Sequence, residues 1–271
     1  MFKKNFFEEN PFLFDCNYHG RDFLKSIYQL TLHHSNNCSK YKSILKNLKF
    51  KSNKKIKLEE IPMLPVRLFK NYDLFSIHKD KIVKMLTSSG TTNSNVSKIY
   101  LDSENAKNQV KALKSLIISI IGRDRIPMLI VDKDPKYLDR KNRKSYSAKT
   151  SAILGFSYFG KNHFYLLDKK GNIDYDGLNL FLKKFSKNKF FVFGFTSLIY
   201  EILLKNISTG KINLDFSKGI LLHGGGWKKL EKLKISNSNF KSKLLQKFHL
   251  KNVFNYYGMV EQTGSIFLEC E

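Results

Sequence analysis

The reading of the fold turns on one stretch, 84-KMLTSSGTTNSNVSKIYLD-102. Seven hydroxyl side chains crowd between Thr87 and Ser97 around a single glycine, Gly90, and Lys98 follows them. The apolar run from Ile82 to Leu86 leads in as a strand. Two readings are open. One is a solvated, hydroxyl-rich hairpin. The other is an anion cradle, in which backbone N–H groups around Gly90 and the hydroxyls of Ser88, Ser89, Thr91 and Thr92 donate to phosphate oxygens while Lys98 adds positive charge. The loop is not a Walker A motif, because Gly90 is followed by neither a second glycine nor a Gly-Lys-Ser/Thr ending.

Beyond this loop the pattern alternates strands with amphipathic helices. Asp102 or Ser103 caps a helix carrying Val110, Leu113, Ile117 and Ile121 on one face and ending at Gly122. "PMLIVD", 127–132, reads as a buried strand, and the charged run from Asp132 to Lys144 as a lid-like loop. A strand at Phe190 to Phe193 precedes a helix from about Thr196 to Lys205. "KGILLHGGGW" and "KNVFNYYG" read as strands entering turns, separated by one amphipathic helix through Leu230, Leu233, Leu244 and Leu245. Such alternation predicts an α/β fold with helices packed on a sheet.

Upstream the pattern differs. Leu24, Ile27, Tyr28, Thr31 and Leu32, then Tyr41, Ile44, Leu45 and Leu48, recur at helical spacing on either side of "HHSNNCSK". Pro62 and Pro65 then stop helix formation. The expected organisation is a mainly helical region over 1–75 and an α/β core over 76–271.

Three polar, glycine-bearing loops fall at predicted strand ends: "TSSGTTNSNVSK", "HGGGWK" and "YYGMVEQTG". In open α/β sheets ligands bind beyond the carboxyl ends of the strands. Gly224, Gly225 and Gly226 permit close approach of backbone to a ligand. His223 is either a proton-transfer group or a structural histidine. Glu261, near Gly258, is either a carboxylate for Mg²⁺ bridging to phosphate or a surface acid. Tyr256 and Tyr257 either stack on a base or belong to the core.

Composition excludes several classes. The formal net charge is +25, but 42 of the 48 basic residues are lysine. Arginine, the residue suited to bidentate phosphate and base contacts, is scarce. The charge therefore reads as a bias over every exposed face, and nucleic acid is the less favoured partner. Apolar runs such as Leu116 to Ile121 fall short of the roughly 20 residues of a membrane span. Cys16, Cys38 and Cys270 have neither disulfide-framework nor zinc spacing, which fits a reducing cytoplasm. His33 and His34, adjacent on a helix, face different ways and make a poor ligand pair.

In their order, "TSSGTT…SK", "HGGGW" and "YYGMVEQTG", with "LPVRLFKNYDLFS" before and "GSIFLEC" after, resemble the adenylate-forming enzymes. Within them the chain looks most like the LuxE-type acyl-protein synthetases, with phenylacetate–CoA ligases as more distant relatives. The resemblance covers roughly residues 60–271. It implies the large N-terminal domain of an adenylate-forming enzyme, with mixed sheets packed by helices. The implied activity is activation of a carboxylic acid, a fatty or other acyl acid, by ATP as an acyl-adenylate, and transfer of the acyl group to a thiol on a protein or carrier. By position, Ser88, Ser89, Gly90, Thr91, Thr92 and Lys98 would cradle the β- and γ-phosphates. Gly224 to Gly226 would lie along the adenine and the acyl pocket, with Tyr257 and Gly258 at the adenine. "FGFT", 193–196, would line the acyl pocket, and Glu261 would hold Mg²⁺.

The chain departs from the family pattern in places. Asn93 stands where many members have glycine, and Val260 where a threonine is usual. The sequence ends ten residues after Glu261. The ribose-binding aspartate, hinge and small C-terminal domain with its catalytic lysine, which the resemblance implies, are not in it. A partner chain is the expected source of that lysine. Cys270 reads as a structural thiol and not the acyl acceptor. A nucleotide-binding remnant without turnover and a basic nucleic-acid-associated protein are the alternative readings.

Overall fold

The computed structural model describes residues 16–52, 56–88, 95–137, 148–207, 214–262 and 266–269. The chain divides into two compact units, one made of Met1–Ser119 with Gly258–Ile266, the other of Ile120–Tyr257 with Phe267–Glu271.

The first unit begins with α1 (Cys16–Asn37) and α2 (Ser39–Asn47). The polar break expected over several residues narrows to Cys38, which is buried. A four-residue helix, α3 (Leu68–Asn71), follows the proline-bearing segment. β1 (Lys84–Thr87) and β2 (Lys98–Leu101) then pair antiparallel, with Thr87 opposite Lys98. The Ser88 N–H donates to the Ser97 carbonyl at 3.2 Å. The Ser97 N–H returns a bond to Ser88 Oγ at 3.0 Å.

α4 (Ser103–Ile121) starts and stops where the sequence says it should. Asp102 Oδ1 accepts the Asn105 N–H at 2.7 Å, and Gly122 takes a left-handed φ of +92° just past the last turn. Ile117 and Ile121 are buried. Val110 is not; it lines an apolar hollow with Val83, Ala106 and Lys107.

The second unit is built on a six-stranded sheet in the order β4-β3-β5-β6-β7-β8. Its strands are β3 (Ile126–Lys133), β4 (Gly160–Leu167), β5 (Phe190–Phe195), β6 (Gly219–Gly224), β7 (Asn252–Tyr257) and the short β8 (Phe267–Leu268). Every pairing from β4 through β7 is parallel, and β8 joins antiparallel. From β3 the chain crosses through α5 (Ala148–Ser157) to β4, then returns through α6 (Tyr175–Phe185) to the other side of β3. That reversal makes the carboxyl end of β3 a topological switch point.

β5 leads directly into α7 (Thr196–Ile199), continued by a π-helical segment, Tyr200–Asn206. The single helix expected through Leu230 and Leu245 is two elements. A 3₁₀ segment, Lys228–Leu233, ends at Lys234 in the left-handed region. α8 (Asn237–Phe248) starts afresh, with Ser236 Oγ accepting the Asn239 N–H. The hydroxyl cap and the left-handed residue outweigh the apolar spacing that links the two halves.

One face of the sheet carries α6 to α8. Leu129, Val131, Val192, Leu221 and Val253 pack there with Phe181, Ile199, Phe240 and Leu244. Full burial of each such side chain contributes about 1.5–3 kcal/mol. α5 lies on the opposite face, its Phe156 ring 4.6 Å from that of Phe193 and 5.1 Å from that of Tyr256. Strands buried on both sides explain why β5 reads as an unbroken apolar run. Asp132 belongs to β3 and is 2% exposed, so the charged loop expected from Asp132 onward begins beyond it. Residues 138–147 of that stretch lie outside the described residues.

Candidate functional site

Each of the three glycine-bearing loops follows the carboxyl end of a strand: β1, β6 and β7. In the first unit Ser88 is half-buried and spends its backbone N–H and its Oγ on closing the base of the hairpin with Ser97. Ser89, Gly90, Thr91 and Thr92 lie outside the described residues. Lys98 is exposed at the start of β2, and its ammonium stands 3.9 Å from Asp73 Oδ1. The same Asp73 oxygen accepts the Tyr100 hydroxyl at 2.8 Å.

Glu261 occupies a 3₁₀ turn, Val260–Gln262, half-buried and with no hydrogen-bond or ion-pair partner among the described residues. β2 passes within 8 Å of this turn, Cα to Cα. The first unit thus brings the strand of Lys98 and the turn of Glu261 into one neighbourhood. Gly258 precedes the turn and is exposed.

In the second unit the geometry at the end of β6 is tight. A Cβ on Gly224 would lie 2.6 Å from the Tyr256 ring, and one on Gly225 would lie 2.9 Å from the Phe195 ring. Gly225 and Gly226 take φ values of +78° and +69°, the left-handed region that favours glycine. Only bare backbone fits between those two rings. Beside Gly226 a Cβ would meet nothing within 4 Å, so its backbone faces open space.

Trp227 turns into the core, edge-on to Tyr200 and Phe240 at 5.5 Å each. Tyr257 is 59% exposed, its ring stacked near-parallel on Phe267. Tyr256 lies against Phe156 and Phe193, and burial pushes its hydroxyl up to about 12.

His223 is 1% exposed. Thr196 Oγ1 donates to the Gly224 carbonyl at 3.1 Å and so accepts the His223 Nδ1–H at 2.9 Å. Nε2 is then the lone-pair nitrogen, buried without a partner. Burial lowers this imidazole from 6.5 to about 4, with the nearby Glu269 and Lys241 charges acting in opposite directions. Such a ring is out of reach of a solvent-borne substrate and holds β6 to the start of α7.

Reading the sequence alone misses two features of this unit. Asp132, on β3, stands with Lys149 Nζ 2.7 Å from its Oδ2. Glu269 ties β7 to α8 by accepting from Lys241 at 3.0 Å, from the Asn255 N–H at 3.0 Å and from Asn237. Burial would raise the Glu269 carboxyl, but these donors outweigh it and hold the group below its usual value. The acids at the ends of "LIVD" and "GSIFLE" were the only signal for either.

The sequence pattern of the acyl-protein synthetase family LuxE matches residues 3–271. The chain belongs to that family. No curated protein matches the LuxE-family chain. Among solved structures it is similar to a 2-hydroxyisobutyryl-CoA ligase in an open conformation with 2-HIB-AMP and CoA, at 13% identity and a TM-score of 0.59, over 90% of this chain and 54% of that one. The same ligase in its postadenylation state with 2-HIB-AMP is similar at 12% identity and a TM-score of 0.54, over 89% and 48%. The LuxE-family chain therefore shares the α/β fold of adenylate-forming ligases and spans about half of their length. Among its described residues no helix is long and apolar enough to cross a membrane.

Proposed function

We propose that this LuxE-family chain takes part in activating a carboxylic acid with ATP and in passing the acyl group to a thiol. A carboxylate oxygen attacks the α-phosphorus and pyrophosphate leaves with the P–O bonding pair. A thiolate then attacks the acyl carbonyl and AMP departs. The observation that supports this most is the backbone at the end of β6, where glycines fit against two rings and Gly226 borders open space. That is an arrangement for a flat or anionic ligand lying against main chain.

The donor set suits a nucleotide triphosphate. In the first unit, Ser88, Ser89, Gly90, Thr91 and Thr92 are proposed to donate to the phosphates, with Lys98 neutralising charge. In the second, Gly224 to Gly226 would lie along the adenine, with Tyr257 offering its exposed ring. Among the described residues no cluster of His, Cys, Asp and Glu could hold a metal unaided. A lone carboxylate fits Mg²⁺, which keeps most of its ligands as water and phosphate oxygens. Glu261 is the proposed protein ligand. Bound Mg²⁺ would offset negative charge developing on the phosphates. The protein's own share is to orient the acid and exclude water.

Thermal shift with ATP and Mg²⁺ tests the nucleotide site directly. Wild-type protein at about 100 times the dissociation constant should gain roughly 2.7 kcal/mol of stability. Glu261→Ala and Thr91→Ala should each reduce the gain. A folded wild type with no shift would remove the nucleotide reading. Pyrophosphate exchange across a panel of carboxylic acids then tests activation.

A further inference from the structure

In the first unit, α4 carries an apolar stripe that is covered over one half and bare over the other. Ser103, Ala106, Val110, Ile117 and Ile121 fall within about 60° of one another around the helix. Ile117 and Ile121 are buried, whereas Val110 is 57% exposed. Ser103 and Ala106 are small, and there the stripe falls away into a hollow of about 530 Å³ that Val83 also lines. Val83 is 61% exposed. Met85, two residues on and on the same face of the hairpin, is 52% exposed.

Lys107 and Lys111 complete the lining of the hollow. With Lys114 they recur at four- and three-residue spacing, so three lysines run in a row along one flank of the stripe. All three are exposed, and none has an ion-pair partner among the described residues. Lys98, Lys136 and Lys241, by contrast, each meet an acid. Glu104 is the one acid on α4.

We propose that this hollow docks an acidic amphipathic helix of a partner protein, which sets apolar side chains against Val83 and Val110 and carboxylates against the lysine row. Burial of the apolar contact supplies affinity, and the row selects the partner by charge. The bare face from Ser103 to Lys114 is about 16 Å long, which matches a helix of three turns. A second copy of this chain is the poorer occupant. In a two-fold contact the patch meets itself, and each copy brings the same lysines and a net charge of +25. A lipid surface is flat where the hollow is concave. The proposal does not depend on the nucleotide reading.

Three labelled helical peptides of about 14 residues serve as probes. One has a leucine stripe flanked by glutamates, the second replaces the glutamates with lysines, and the third replaces the leucines with serines. Fluorescence anisotropy compares their binding to the full chain and to variants at exposed positions, where the fold is not at stake. The leucine–glutamate peptide should bind wild type about tenfold more tightly than either of the others. Lys107→Glu/Lys111→Glu should abolish that preference and admit the leucine–lysine peptide instead. Val110→Ser should weaken the leucine–glutamate peptide about fivefold. Lys183→Glu/Lys184→Glu, on α6, should leave its affinity unchanged. No binding of the leucine–glutamate peptide, an equal loss in the α6 variant, or indifference to Val110→Ser would overturn the proposal. So would a stable dimer in sedimentation that Val110→Ser dissociates, or binding of phosphatidylserine vesicles with none of the peptide.

Discussion

His223 shows how a single residue can be recast by its surroundings. The imidazole stays neutral because its Nδ1–H is committed to Thr196 and the ring is closed off against Phe240. Its value in the folded state, about 4, lies below the ordinary 6.5. The unfolded chain therefore takes up the proton first as pH falls. The stabilisation is whole above pH 6.5 and is lost as pH drops toward 4, amounting to about 3 kcal/mol. His223→Asn keeps a donor for Thr196 but cannot titrate. Chemical denaturation of both proteins between pH 7 and 4 should show wild type losing more stability than the variant by roughly that amount. Parallel curves would mean that the ring is already solvated. Glycine needed at Gly224 and Gly225 was legible from "HGGG"; the partners that demand it, Tyr256 and Phe195 respectively, are set by strand register and were not.

Among the elements, the π-helical segment Tyr200–Asn206 depends on a side chain far along the chain. Lys247, on α8, donates from Nζ to the carbonyls of Leu203, Leu204 and Ile207 at 2.9, 3.0 and 3.1 Å. These carbonyls close the segment, and a cation there also answers the negative end of the helix dipole. Burial lowers the ammonium's value. Lys247→Met should cost about 2 kcal/mol by removing charged hydrogen bonds from a half-buried end. It should also speed amide exchange around Ile207 more than at β3. An unchanged unfolding midpoint would show that water replaces the lysine. Helix ends written in local chemistry were readable beforehand: Asp102 and Gly122 bound α4 where expected. α5, β4 and α6 were not legible, because the charged run 132–144 breaks the apolar pattern just ahead of them. The Asp132–Lys149 pair was hidden for the same reason, since an acid closing an apolar run reads as the start of a loop until the helix after it is in place.

Across the whole molecule, protection should follow the layering of the sheet. β5 and β6 are buried at every residue, whereas β1 exposes three of its four. Hydrogen exchange should therefore place β5 and β6 amides in the slowest class, opening only with the second unit as a whole, and the β1–β2 amides in a class opened locally. A hairpin as protected as β5 would contradict that order. The general alternation of strands and helices was legible because parallel strands covered on both faces are long apolar runs. Strand order was not, since β3 gains neighbours on both edges only after the chain doubles back. The division of the chain adds a matter of timing. Gly258–Ile266 belongs with Met1–Ser119, although every residue of β3 through β7 lies between them in sequence. During synthesis the ribosome releases those strands first, and domains generally fold as their sequence emerges. A nascent chain can thus assemble its parallel sheet while its amino-terminal portion still awaits the segment bearing Glu261, making the proposed magnesium ligand the last of the candidate site residues to be manufactured.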